Sequence, residues 1–314
     1  MKQPLLGAFC LSLAASIWGG MYVVSKYVLD FVPPLTLVWL RFVIAFAILF
    51  MILQITQQKQ KTKIPIEKKD WLLFAWIGFI GYFVSITFQF IGTKLSDAHT
   101  GSLVTSATPA FMIIFARIIV KERITIRKFI SVLLATLGVT IVIGWDIKIG
   151  TYFTGTIILV GAAITWALLS IYVKIASQRF SSLIITTYAI FFAILFITPC
   201  MVWELQSNSI QSLNISIILG ILYLGIISTA GAFFLWNKGM ELMDAGIGSL
   251  FFFFQPLVGS FLGWLLLHEQ LKTTFFIGAA LIVVSVLIVT IDKRKTTSRR
   301  TSHGTRNENK LSNL

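Results

Sequence analysis

Residues 97–122 read DAHTGSLVTSATPAFMIIFARIIVKE, and residues 244–269 read DAGIGSLFFFFQPLVGSFLGWLLLHE. The second stretch repeats the first at a spacing of 147 positions, with seven of 26 positions identical. These are Asp97/Asp244, Ala98/Ala245, Gly101/Gly248, Ser102/Ser249, Leu103/Leu250, Pro109/Pro256 and Glu122/Glu269. Each copy has an acid at both ends and a proline at its centre. The apolar interior is long enough to cross a bilayer, which takes about 20 residues of helix. One helix design is therefore used in both halves of the chain.

Composition names the solvent. Of 314 residues, 57% are hydrophobic and only 12% charged, against about 25% charged in a typical soluble protein. With a mean hydropathy of +0.88, this much apolar surface calls for lipid. The net charge of +14 does not point to nucleic acid, because the basic residues fall in short gaps between apolar runs and in the tail. Cys10 and Cys200 sit in separate runs, and His99, His268 and His303 form no cluster, so neither a disulfide nor a metal or other cofactor is expected. The first run continues through Trp18 to Val24, too long for a cleaved signal.

Ten apolar runs follow one another, at roughly 5–27, 35–54, 71–92, 98–120, 126–144, 152–175, 182–203, 215–237, 245–267 and 272–291. The expected fold is an all-α membrane protein of ten transmembrane helices. With the N-terminus inside, most of the 26 basic residues lie on the cytoplasmic face, which the positive-inside rule favours. Five crossings per half is an odd number, so the second half is expected to be inverted relative to the first. The division is then 1–147 and 148–291, followed by a basic, polar cytoplasmic tail at 292–314. Trp18 and Lys26 in the first run find fainter matches in Trp166 and Lys174. Paired, broken helices in inverted halves point to a transport site at mid-membrane.

Pro109 and Pro256 remove a helical donor, which frees the carbonyls of Thr105 and Phe252. In lipid such groups must be satisfied by protein, water or cargo. The fourth run sets Thr105, Ser106 and Thr108 before its proline; the ninth sets Phe251 to Phe254 and Gln255. A hydroxyl wall facing an aromatic wall with an amide suits a small amphipathic solute. Phe252, Gln255 and Gly259 share one helix face, while Gly259 and Gly263 form a packing GxxxG. Trp18 and Trp166 lie at mid-run and either pack or line the cavity. Gln89, Trp236 and Asn237 lie toward run ends and are weaker candidates.

The ionisable residues divide by depth. Arg41 lies inside the second run; it recognises a carboxylate or phosphate, extends outward, or pairs with Asp30. Asp97 and Asp244 read as N-caps. Glu122 and Glu269 precede the fifth and tenth runs, where a carboxylate favours the helix N-terminus. No carboxylate or histidine falls at mid-membrane, which favours a facilitator or exchanger, with coupling through the end-of-helix acids as the fallback.

WGG at Trp18, LRF at Leu40-Arg41-Phe42, TP with KERIT at 108–125 and QP with HEQL at 255–271 together resemble the EamA family of the drug/metabolite transporter superfamily. Trp18, Arg41, Pro109, Glu122, Pro256 and Glu269 carry the match, which covers about residues 5–291. The resemblance implies an inner-membrane permease, often an exporter of amino acids or related metabolites, with a central cavity between inverted halves. The position matching Arg41 is Ala189, so any arginine role is one-sided. The small multidrug members use a glutamate in their first helix, and no acid occurs there in this chain. The expected partners are a small-molecule substrate and the lipid bilayer, in a monomer or homodimer. The competing readings are an organic-cation efflux carrier and a membrane-embedded enzyme or scaffold; no acid/base or metal spacing supports the enzyme.

Overall fold

The computed structural model describes residues 4–59, 65–96, 98–143, 151–211, 214–267 and 273–290. Asp97, Glu269 and the tail at 292–314 lie outside them. Among the described residues, ten helical stretches follow in chain order: α1 (Pro4–Leu29), α2 (Pro34–Lys59), α3 (Lys68–Leu95), α4 in two pieces (Ala98–Thr105 and Thr108–Ile119), α5 (Ile126–Ile143), α6 (Thr151–Ala176), α7 (Ser182–Ser207), α8 (Ile215–Leu242), α9 in three pieces (Ala245–Gly248, Ser249–Phe253 and Phe254–Leu267) and α10 (Thr273–Thr290). Six of these (α1, α2, α3, α6, α7 and α8) are long and apolar enough to cross a membrane. This is a multi-pass α-helical membrane protein. α4 and α9 fall short because both are broken.

The breaks come just before the prolines rather than at them. α4 stops at Thr105 and restarts at Thr108, with Pro109 in the first turn of the new piece. α9 passes through a tighter 3₁₀ turn at Ser249–Phe253 and resumes at Phe254, ahead of Pro256. A proline costs least in a first turn, where its missing N–H has no helical acceptor. The Thr105 carbonyl does not wait for cargo: it accepts the Thr108 hydroxyl at 2.6 Å.

α3 and α8 contain a feature the apolar pattern does not announce. Each widens into a π-helical stretch, Gly78–Ser85 and Tyr223–Gly231. Such stretches are rare and concentrate at functional sites. Here they sit where neighbouring helices come close. A Cβ on Gly78 would lie 2.4 Å from the Ala189 carbonyl of α7, and one on Gly225 would lie 2.7 Å from Ile44 of α2.

The packing partners mirror one another. α1 lies against α8 and α9, and α6 against α3 and α4; α2 touches α8, and α7 touches α3. α2 and α7 pack together, as do α5 and α10. Exchanging the first five helices for the last five leaves this set unchanged. Lys26 and Lys174 share the symmetry. Lys26 Nζ donates to carbonyls at the end of α3, Thr93, Lys94 and Ser96. Lys174 Nζ donates to those ending α8, Met240, Glu241 and Met243. A cation at a helix C-terminus satisfies orphan carbonyls and the macrodipole together.

Acids serve helix starts across the two halves. Glu204, near the end of α7, accepts from the backbone N–H of Leu35 and Thr36 at 3.1 and 2.8 Å, and so caps α2. Arg179 ties the α6–α7 corner to Glu67 and Asp70 at the start of α3. Hydrogen bonds from Lys69 and Arg179 hold the exposed Glu67 carboxyl below its ordinary pKa.

Candidate substrate-binding site

A cavity opens where α1, α3, α4, α6, α8 and α9 meet. As the walls stand it has room for about one water. Seven of the sequence candidates line it: Trp18, Gln89, Thr105, Thr108, Trp166, Phe252 and Gln255. Pro109 and Pro256 are buried but not part of its lining; they shape the helices that are. Met21, Ser85 and Phe233 line it as well.

Trp18 is the hub of an aromatic cage. Its ring centroid lies 5.2 Å from Trp166 in an edge contact, 5.7 Å from Phe252 in a stack, and 5.9 Å from Phe233. Its indole N–H donates to the Ser228 carbonyl at 3.0 Å, inside the π-helical stretch of α8. The two tryptophans differ in one respect: Trp166 Nε1 is buried without a hydrogen-bond partner among the described residues. Trp18→Phe is therefore expected to cost about 1 kcal/mol, the loss of one buried hydrogen bond. Trp166→Phe is expected to cost clearly less. Thermal unfolding of the two purified variants checks the difference.

A polar chain runs along the opposite wall. Gln89 Nε2 donates to the Tyr22 hydroxyl at 2.6 Å, Tyr22 donates to Thr105 Oγ1 at 2.8 Å, and Thr105 donates to the Gly101 carbonyl at 2.7 Å. Gly101 must be glycine here, since a Cβ would lie 2.8 Å from the Tyr22 ring. Tyr22 lies in an apolar run that gives no sign of it, and Gln89, toward the end of α3, is brought to the cavity wall. One signal was present: Gln89 and Asn237 are both amides and stand in matching places in α3 and α8. Asn237, away from the cavity, donates to Tyr82 and Thr186 at 2.8 and 2.7 Å. The carbonyl oxygens of Gln89 and Gln255 have no partner among the described residues. The hydroxyl wall is narrower than expected, because Ser106 turns to the Ser102 carbonyl and is not among the lining residues.

Arg41 neither reaches outward nor meets Asp30. It is fully buried, with Nε on Thr229 Oγ1 at 2.6 Å, Nη2 on Ser228 Oγ at 3.3 Å and Nη1 on Met21 Sδ at 3.7 Å. Its guanidinium lies 4.9 Å from the Phe90 ring centroid and 5.8 Å from that of Phe233.

The model of the EamA-like transporter family matches residues 5–144 and again residues 153–291. The chain belongs to this family. It is 27% identical over 300 residues to the uncharacterized transporter YetK of Bacillus subtilis (strain 168), covering 94% of this chain and 90% of that one. It is 26% identical over 287 residues to a protein of Escherichia coli (strain K12) named a probable amino-acid metabolite efflux pump, covering 88% and 92%. A solved crystal structure matches the fold with a TM-score of 0.76 at 19% identity, over 92% of this chain and 98% of that one.

In this EamA-like transporter the end-of-helix acids differ from expectation in one partner. Glu122 does not serve α5. Its Oε1 accepts from Ala245 N at 2.9 Å and its Oε2 from Gly246 N at 3.2 Å, the first amides of α9. Lys128 Nζ backs it at 3.3 Å. The aim is set locally. Lys121 takes a left-handed φ of 55°, and Glu122 N–H bonds back to the Ala116 carbonyl at 3.0 Å, which turns the chain sharply at the end of α4. Asp244 holds the N-cap position of α9 in extended conformation but makes no side-chain capping bond; Glu122 takes the amides instead.

Proposed function

We propose that this protein carries small amphipathic metabolites, amino acids or their relatives, across the cell membrane by alternating access around the central cavity. The observation that carries the reading is the cavity itself, an aromatic cage facing unpaired amide oxygens where two helices break. The aromatic faces suit an apolar side chain. The Gln89 and Gln255 oxygens, with the rings, suit an ammonium. An inverted pair of five-helix units with both termini in the cytoplasm is supported by the doubled family match and by packing partners that survive exchange of the halves. The name of the Escherichia coli relative supports export of amino-acid metabolites. With no carboxylate among the described residues that line the cavity, facilitation or exchange is the simpler coupling, and uptake with and without an imposed pH gradient tests it.

The direct test is counterflow of amino acids in proteoliposomes, where saturable, exchange-stimulated flux is expected. Gln255→Leu is expected to reduce it by about tenfold or more, since a hydrogen bond to a charged group contributes about 1.5–3 kcal/mol. Unchanged affinity and rate would remove Gln255 from the site. Gln255 is a better choice than Thr108, whose hydroxyl already holds the Thr105 carbonyl. Reporter fusions near residues 95 and 242 are expected on opposite sides of the membrane.

A further inference from the structure

A buried cation in a lipid-embedded protein is expensive and normally has an anion beside it. Arg41 has none among the described residues: its partners are two hydroxyls, a thioether and two aromatic faces. A guanidinium offers five N–H donors in a planar fork that matches a carboxylate. The three partners leave that capacity part-used, and the weakest of them, Met21 Sδ, sits on Nη1. Met21 and Phe233 also line the cavity, so one layer of side chains separates the charge from the space a solute would enter. Met21 is the movable part of that layer, because an unbranched thioether repacks readily.

We propose that Arg41 sets the charge preference of the cavity. It draws in solutes bearing a carboxylate or similar anionic group and repels organic cations, and Met21 is the shutter that an entering carboxylate displaces from Nη1. The inference rests on the cavity being the transport site and adds the missing half of its ligand. An ammonium has the amide oxygens and the rings; a carboxylate has Arg41. A wholly structural arginine, pinning the π-helical stretch of α8 through Ser228 and Thr229, would leave the cavity without charge preference toward small ions.

The test needs no known substrate. In a protein with Cys10 and Cys200 replaced by alanine, Met21→Cys places a thiol between Arg41 and the cavity. Its rates of modification by a sulfonate-bearing and by a quaternary-ammonium-bearing methanethiosulfonate are compared with those of a free thiol in the same buffer. With Arg41 present, the anion-to-cation rate ratio is expected to exceed the free-thiol ratio by at least about tenfold, as one poorly screened charge at close range requires. Arg41→Lys is expected to keep the excess and Arg41→Met to erase it. A ratio equal to that of the free thiol with Arg41 in place overturns the proposal and leaves the carrier reading standing; this arm decides even if Arg41→Met does not fold. If the cysteine reacts with neither reagent from either side, yet reacts after denaturation, aqueous solutes do not reach the cavity and both readings fall.

Discussion

Gly19→Val is expected to abolish transport and to destabilise the protein by about 3 kcal/mol or more, the upper range for overpacking. A Cβ at Gly19 would lie 2.6 Å from the Gln255 carbonyl oxygen and 2.9 Å from Gly259 N. Both are backbone atoms, so neither can rotate away. They belong to the piece of α9 that restarts after its 3₁₀ turn, so the strain falls on the wall that presents Gln255 to the cavity. The neighbouring Gly20 supplies the control. A Cβ there would meet only Leu262 Cδ1 at 3.1 Å and Tyr223 Oη at 3.2 Å, the ends of two side chains. Gly20→Ala is expected to keep most of the activity. Thermal unfolding and counterflow on the two variants check the contrast. Equal losses would mean that the α1–α9 approach does not constrain the site, whereas small-residue contacts of this kind usually govern how closely membrane helices pack.

How much of this was legible in the chain depends on how local the cause is. A proline removes a donor wherever it stands, so Pro109 and Pro256 marked the broken helices; the helix restart before each follows from proline's preference for a first turn. Apolar runs of spanning length reported α1, α2, α3, α6, α7 and α8 for the same local reason. The π-helical stretches of α3 and α8 were not legible, because they depend on which helix a glycine meets, as Gly78 meets the Ala189 carbonyl. Arg41 was visible as an ionisable residue inside a run, but its direction was not: outward extension and inward burial use the same spacing. Glu122 was recognised as serving a helix start. That the start is α9 rather than the adjacent α5 depends on the left-handed Lys121, a residue type that rarely adopts that conformation. Tyr22 and Gln89 enter the site through hydrogen bonds between separate helices, Gln89 to Tyr22 and Tyr22 to Thr105, which no periodicity within one run records.

Glu122 joins the corner between α4 and α5 to the first amides of α9, so it fastens the first half of the chain to the second at one end of the cavity. Under the proposed topology that end faces the cytoplasm. Under the proposed alternating access, release on that side requires α4 and α9 to part, and two charge-assisted hydrogen bonds join their ends. Each such bond contributes about 1.5–3 kcal/mol. Water replaces part of that at a carboxylate left 19% exposed, so a combined loss of about 1.5–3 kcal/mol is a fair expectation for Glu122→Ala. A loss of that size shifts a two-state equilibrium by about 10- to 100-fold. Access of a membrane-impermeant thiol reagent to Gln255→Cys should therefore rise by that factor from the cytoplasmic side, and not from the other, as read in vesicles of opposite orientation. Lys128→Ala keeps both amide bonds and is expected to raise access by less than Glu122→Ala does. If Glu122→Ala and Lys128→Ala raise access alike, the amide clamp is not the fastening. If Glu122→Ala raises access from the outer side instead, the assignment of this end to the cytoplasm is reversed. Because the clamp holds α9 only four residues before its 3₁₀ turn at Ser249, its release acts on the segment already least committed to a regular helix, which is where a hinge for opening belongs.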